Sequence, residues 1–196
     1  TCYFGITETP EISLESGWYN SMQYVILNVD SEADIYYTKN GDLPNTDDFL
    51  YTDTLFFNSS SVLSVRAFNS NLLPSKVVDR TYIFNEDNFE LPVFSIITDS
   101  LNLWDWETGI YVMGPNANPS PPYVGANFRM PWSKWSRIEY FDKNQNKQAE
   151  EQVDLEIHGG YTRMYPQKSF RLDFKSKYTG NIEYPLIPQK PNILEY

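Results

Sequence analysis

The chain has 196 residues, enough for one large domain or two small ones, and a formal net charge of −11. That charge argues against nonspecific binding to nucleic acid or to an anionic membrane, since both need a cationic face. Its single cysteine, Cys2, excludes an internal disulfide, and no stretch is apolar for long enough to form a transmembrane segment.

The N-terminus has neither Met nor the apolar core of a signal peptide, so the chain reads as starting after a processing or cloning boundary. Cys2 reads as an incidental surface thiol, with a lipid anchor in the parent protein as the alternative. Aromatic residues make up 16% of the chain, 15 of them Tyr, and this richness favours strands. The 13 prolines argue against long helices, so the expected class is mainly β.

Strands are predicted at Tyr24 to Val29, Ile35 to Thr38, Leu55 to Phe57, Val62 to Phe68 and Val77 to Phe84. Asn40-Gly41 is a strong hairpin signal, because both residues tolerate positive φ. In the fourth strand Leu63, Val65 and Ala67 put apolar groups on one face, as a half-buried strand requires. Short strands at near-regular spacing suggest a β-sandwich over residues 6–85.

Asn85-Glu86-Asp87-Asn88 is polar and aperiodic and is read as the boundary of a second region, 89–196. Leu91 to Thr98 is nearly continuously apolar, typical of a buried strand. Ser100 to Trp104 fits one helical turn, and Gly109 to Val112 returns to strand. Pro115 to Pro122 is a loop, barred by its prolines from a sheet interior. Further strands are expected at Trp135 to Phe141 and Val153 to Ile157, with a turn at Asp142 to Asn146 between them. A strand from Lys168 to Phe174 follows, and the tail with Pro185, Pro188 and Pro191 reads as irregular.

Between the last two strands lies Ile157-His158-Gly159-Gly160-Tyr161-Thr162-Arg163, followed by Pro166-Gln167-Lys168-Ser169-Phe170-Arg171-Leu172. Two glycines permit a sharp turn or close approach to a ligand. Period-two alternation puts Lys168 and Leu172 on one face and Ser169 and Arg171 on the other. A glycine turn before a strand-borne lysine fits a phosphate-facing hairpin; it fits an ordinary hairpin with two solvated cations equally well.

His158 is the one histidine and is read as a hydrogen-bonded structural residue. Asp99, Asn102, Asp105 and Glu107 could offer oxygens to calcium, but their spacing lacks a calcium-loop pattern, and capping of local turns is the simpler role. Trp104, Trp106, Trp132 and Trp135, with Tyr123 and Phe128, could form a sugar-stacking surface or belong to the core. Walker-type loops, H-E-x-x-H, G-x-S-x-G and C-x-x-C pairs are absent, so the enzyme classes they mark lose weight.

Two stretches carry family resemblances. Ala33-Asp34-Ile35-Tyr36-Tyr37-Thr38, the turn Lys39 to Thr46, Leu63 to Phe68, Ser75 and Tyr82 resemble the chitobiase/β-hexosaminidase C-terminal-type domain. That resemblance implies an immunoglobulin-like or fibronectin-like β-sandwich accessory module without catalytic residues of its own. Leu91-Pro92-Val93, Ser95 to Asp99, Asn102 to Trp104, Thr108 to Val112, Trp135 to Asp142 and the Ile157 to Leu172 run resemble the N-terminal portion of the CotH kinase family, known from bacterial spore coats. The resemblance implies a secreted or surface-associated atypical protein kinase. Such an enzyme takes ATP and a divalent metal and moves the γ-phosphoryl group to Ser or Thr of a surface or coat protein substrate.

On this resemblance Lys168 is the phosphate-contacting residue, with Gly159 and Gly160 as the turn near the nucleotide and Arg163 and Arg171 as helpers. The family's acidic catalytic and metal-binding residues lie downstream of this hairpin. The chain offers Asp173 as the one aspartate after Lys168, on the lysine's own strand. It is therefore expected to be an incomplete, non-catalytic fragment that binds neither ATP nor metal tightly, its parent lying outside the cell or at its surface. The alternatives are an extracellular polysaccharide-binding module and a structural surface protein without kinase activity.

Overall fold

A computed structural model describes residues 5–30, 32–84, 90–174, 178, 184–186 and 193. Cys2, the polar stretch Asn85 to Asn88, and Pro188 and Pro191 of the tail lie outside the described residues. The chain divides into two compact units, Thr1–Val93 with Phe141–Lys147, and Phe94–Tyr140 with Gln148–Tyr196.

The first unit is all β. Its strands are β1 (Glu11–Ile12), β2 (Gly17–Tyr19), β3 (Gln23–Val25), β4 (Leu27–Asn28), β5 (Asp34–Thr38), β6 (Phe49–Leu50), β7 (Leu55–Phe57), β8 (Ser61–Phe68) and β9 (Val78–Phe84). A five-stranded sheet has the order β2-β9-β8-β5-β6, and two-stranded sheets form from β1 with β4 and from β3 with β7. The pairing of β2 with β9 is parallel, and the others are antiparallel. This is a β-sandwich architecture, and its core is built by alternation. Leu63, Val65 and Ala67 of β8 are fully buried and join Val25, Leu27, Ile35, Phe57, Tyr82 and Phe84 in one cluster. Tyr82 also satisfies its hydroxyl at depth by donating to the Leu14 carbonyl, 3.1 Å away.

Two expectations for this unit need correction. The single strand from Tyr24 to Val29 is split at Ile26 and serves two different sheets. Ile26 is exposed, and its backbone exchanges hydrogen bonds with the hydroxyl and backbone N–H of Ser13. Asn40-Gly41 does turn the chain, with Gly41 at φ 84°, but no tight hairpin follows. Asn40 and Asp42 bond to each other instead, and the chain runs on to β6 at Phe49.

The second unit is built from β10 (Val93–Ile97), helix α1 (Ser100–Trp104), a 3-10 turn at Asn127–Arg129, β11 (Ser133–Phe141), β12 (Lys147–His158), a 3-10 turn at Tyr161–Met164, and β13 (Ser169–Asp173), with Val93, Phe141 and Lys147 as strand ends assigned to the first. Its sheet has the order β10-β11-β12-β13. On β12 the alternate residues Val153, Leu155 and Ile157 are buried. Ile157 stands opposite Phe170 and Leu155 opposite Leu172 on β13, so both strands turn an apolar row to the same side.

Gly109 to Val112 is not a strand. The N–H groups of Ile110 and Tyr111 donate to the carbonyls of Asn102 and Leu103, so this segment is laid along α1. A Cβ on Gly109 would come within 2.5 Å of the Asp105 carbonyl oxygen, which leaves room there for glycine alone. Asp99 caps α1 by accepting from Leu101 N–H at 2.8 Å.

Candidate functional site

The glycine pair sits where β12 gives way to the Tyr161–Met164 turn, and its two members differ. Gly159 has φ +113°, and a Cβ there would lie 2.4 Å from the Thr162 hydroxyl. Gly160 has φ −103° and open space around the position of a Cβ. The tight turn therefore demands glycine at 159 and leaves room for a side chain at 160.

The turn delivers Lys168 to the start of β13. Counting back by twos from Leu172 and Phe170, which pack on the core, puts Lys168 on the apolar side of the strand. Its ammonium lies 4.4 Å from the centre of the Phe128 ring and 5.1 Å from that of Tyr111. It donates to the Tyr165 carbonyl at 2.7 Å. Tyr111 locks the same place from the other side: its hydroxyl donates to the Pro166 carbonyl at 3.0 Å and accepts the Lys168 backbone N–H at 3.1 Å. Burial pulls the lysine's pKa below its ordinary value. Lys168 is thus a held, half-buried cation rather than a solvated one.

Two arginines belong to the 3-10 turns that flank this site, Arg129 to Asn127–Arg129 and Arg163 to Tyr161–Met164. Arg163 donates through Nε to the Gly159 carbonyl and through Nη1 to the Arg129 carbonyl at 3.3 Å. Arg129 follows Phe128 directly, donates through Nε to the Pro122 carbonyl, and has a buried Nη2 without a hydrogen-bond partner. Among the described residues no carboxylate comes within 4.0 Å of the cationic nitrogens of Lys168, Arg163 or Arg129. Arg129 is the member that sequence reasoning missed. It lies about 30 residues upstream of the glycine pair, in a stretch with no pattern to single it out. Arg171 is not part of this group. It is exposed on the other face of β13, directly opposite Glu156.

The other candidates separate. His158 is exposed at the end of β12 and opposite Ser169, and its ring makes no hydrogen bond among the described residues, contrary to the structural role expected for it. Asp105 accepts from Thr108 N–H at 2.7 Å, Thr108 hydroxyl at 2.9 Å and Glu107 N–H at 3.1 Å. The bonds from Thr108, foremost, hold its carboxyl below the usual carboxylate range. Asn102 donates to the Thr98 hydroxyl at 2.8 Å. Asp99, Asn102 and Asp105 therefore tie down local backbone and side chains, as turn caps do. Among the described residues no group of three or more His, Cys, Asp and Glu could hold a metal ion.

The aromatic set does not form one surface. Trp104 and Trp106 are 58% and 55% exposed, whereas Phe128 is 3% exposed and belongs to the core. Trp135 is engaged with the guanidinium of Arg137, 4.9 Å away, and donates to Gln152 at 3.2 Å.

Comparison with known families matches residues 14–79 to the chitobiase/beta-hexosaminidase C-terminal domain, a span of a third of the chain that begins before β2 and ends in β9. No curated protein and no solved structure matches the chain.

Proposed function

We propose that the second unit is the N-terminal portion of a CotH-like kinase domain, and that this chain contributes the phosphate-facing half of a nucleotide site without the metal-binding half. The observation that carries this reading is Lys168, held half-buried against the Phe128 and Tyr111 rings beside the glycine turn, with no carboxylate within 4.0 Å among the described residues, in a chain whose net charge is −11. Lys168 is held by a carbonyl and two rings and not by a carboxylate, which leaves its charge uncompensated and able to take an anion from outside the chain. Phosphoryl transfer needs such donors on the phosphates, and needs carboxylates on the metal as well. In the longer protein this reading implies, ATP and a divalent metal complete the site, and the substrate is a Ser- or Thr-bearing surface or coat protein. On this reading the present chain is a scaffold and performs no catalysis.

The test uses inorganic pyrophosphate as the probe. Titrated into the chain and followed by amide NMR, it is expected to bind weakly and to shift Tyr111, Phe128, Arg129, Gly159, Arg163 and Lys168. Lys168→Met, which keeps the length of the stem and removes the charge, should abolish those shifts. Equal shifts in that variant sink the lysine assignment, and so does unchanged ATP turnover on Lys168→Ala in the longer protein.

A second reading is favoured by the family match. A module named for chitobiase and β-hexosaminidase, together with the exposed Trp104 and Trp106, supports an extracellular chain that engages polysaccharide at a surface.

A further inference from the structure

The first unit carries a cleft that none of the foregoing uses. It opens on the outer face of the five-stranded sheet, where β5 and β8 run antiparallel with Asp34 opposite Phe68 and Tyr36 opposite Arg66. The alternate residues Leu63, Val65 and Ala67 face the core, so Arg66 and Phe68 face outward. Tyr36 and Phe68 meet edge to face with ring centres 5.4 Å apart. The Arg66 guanidinium lies 5.5 Å from the Phe68 ring and donates to the Ser75 carbonyl at 2.8 Å, which fixes that ring from one side. Asp34, Tyr36, Thr46, Phe68 and Ser70 line a cleft of about 310 Å³, which is within the range of small-ligand sites. It adjoins a second hollow of about 570 Å³ that shares Asp34, Phe68, Asn69 and Ser70 and adds Glu32.

The wall is tied down and its polar groups are spare. Asn69 donates to the Glu32 carbonyl at 2.7 Å and accepts from Asn71 N–H at 3.0 Å, which fixes the loop after β8. By contrast the Tyr36, Thr46 and Ser70 hydroxyls and the Asp34 carboxylate make no hydrogen bond among the described residues. A half-buried aromatic pair beside unpaired hydroxyls and a carboxylate calls for a ligand with an apolar face and a rim of hydrogen-bond donors. A pyranose ring has both. The carboxylates accept and do not donate, so they suit sugar hydroxyls better than the carbonyl-rich, donor-poor backbone of a proline-rich peptide. Glu32 and Asp34 disfavour phosphorylated ligands and uronates, and the cation beside the cleft, Arg66, is engaged with the Phe68 ring and the Ser75 carbonyl.

We infer that this cleft is a binding site for a neutral polysaccharide, seating one pyranose against the Tyr36–Phe68 pair and a neighbouring residue toward Asn69 and Glu32. The inference deepens the polysaccharide reading and is independent of the phosphate reading. Every residue of the cleft lies within the family-matched span.

The full chain would be titrated with cellohexaose, xylohexaose and chitohexaose, and with hexagalacturonate as the anionic counterpart, and followed by amide NMR and calorimetry. At least one neutral hexamer should shift residues 32–36, 46 and 68–72, and hexagalacturonate should not. Tyr36→Ala should weaken binding about tenfold, the loss of one stacking partner. Tyr36→Phe and Asp34→Asn, which leave the packing in place, should each weaken it several-fold. Binding that survives Tyr36→Ala and disappears in Trp104→Ala moves the site to the tryptophans; it overturns the cleft and keeps the polysaccharide reading. Binding of none of the neutral hexamers overturns both, as does preference for a decaproline peptide.

Discussion

Adjacent identical residues can have opposite tolerances, and the glycine pair is such a case. Gly159 sits at φ +113°, a conformation that an L side chain rarely adopts, with the Thr162 hydroxyl where a Cβ would go. Gly160 has an ordinary negative φ and nothing within 4 Å of an added Cβ. Gly159→Ala is therefore expected to cost about 1–3 kcal/mol, the usual scale of one strained backbone position. Gly160→Ala should cost less than that, since a side chain there meets nothing. Denaturant unfolding of the two variants checks this, and equal costs would refute the assigned turn. The sequence offered both glycines as equivalent because spacing carries no φ. The same limit applies to Lys168. Alternation correctly assigned it to the Leu172 face, but the two rings beneath its ammonium come from Tyr111 and Phe128, far away in the chain.

At the scale of elements, legibility followed the source of each element's hydrogen bonds. β8 was readable because one strand's alternation decides it: Leu63, Val65 and Ala67 point inward whatever the neighbours are. Short strands such as β2 and β6 were missed, since two or three residues hold no period and pair only because β9 and β5 lie beside them. Gly109 to Val112 was misread for a related reason. Its apolar residues suit a strand, but its donors find the carbonyls of α1 first. The Asp105 carboxylate creates that path by gathering three donors from Glu107 and Thr108. Its lowered pKa gives the sign of the pH effect. A carboxylate held below its unfolded value stabilises the fold above that value, and the contribution is lost as pH falls through the folded one. Asp105→Ala should open the turn at neutral pH. Hydrogen exchange at Ile110 and Tyr111 should then speed up, while β12 stays protected. Unchanged exchange at those two amides would mean that the glycine and the packing of Ile110 hold the segment without the aspartate.

For the whole molecule the question is which charge an anion feels, the net −11 or the local cations. At 0.15 M salt the screening length is about 8 Å, so most of the acidic surface is invisible from the site. Lys168, Arg163 and Arg129 have no carboxylate within 4.0 Å among the described residues, and so local positive charge should dominate. Pyrophosphate binding is then expected to weaken as sodium chloride rises from about 0.05 to 0.5 M, because salt screens an attraction. If the net charge ruled, salt would screen a repulsion and binding would strengthen. The pH dependence follows from Lys168. Its pKa is lowered by burial, so between the folded and unfolded values the unfolded chain binds more protons and stability rises with pH. A bound anion favours the charged lysine and raises that pKa again. Affinity should accordingly hold at neutral pH and fall as pH climbs through the lowered value, ahead of the ordinary lysine range. Calorimetry across salt and pH reads both signs at once. Tighter binding at high salt, or affinity constant through the alkaline range, would remove Lys168 from the anion site and leave its ammonium as packing for Tyr111 and Phe128.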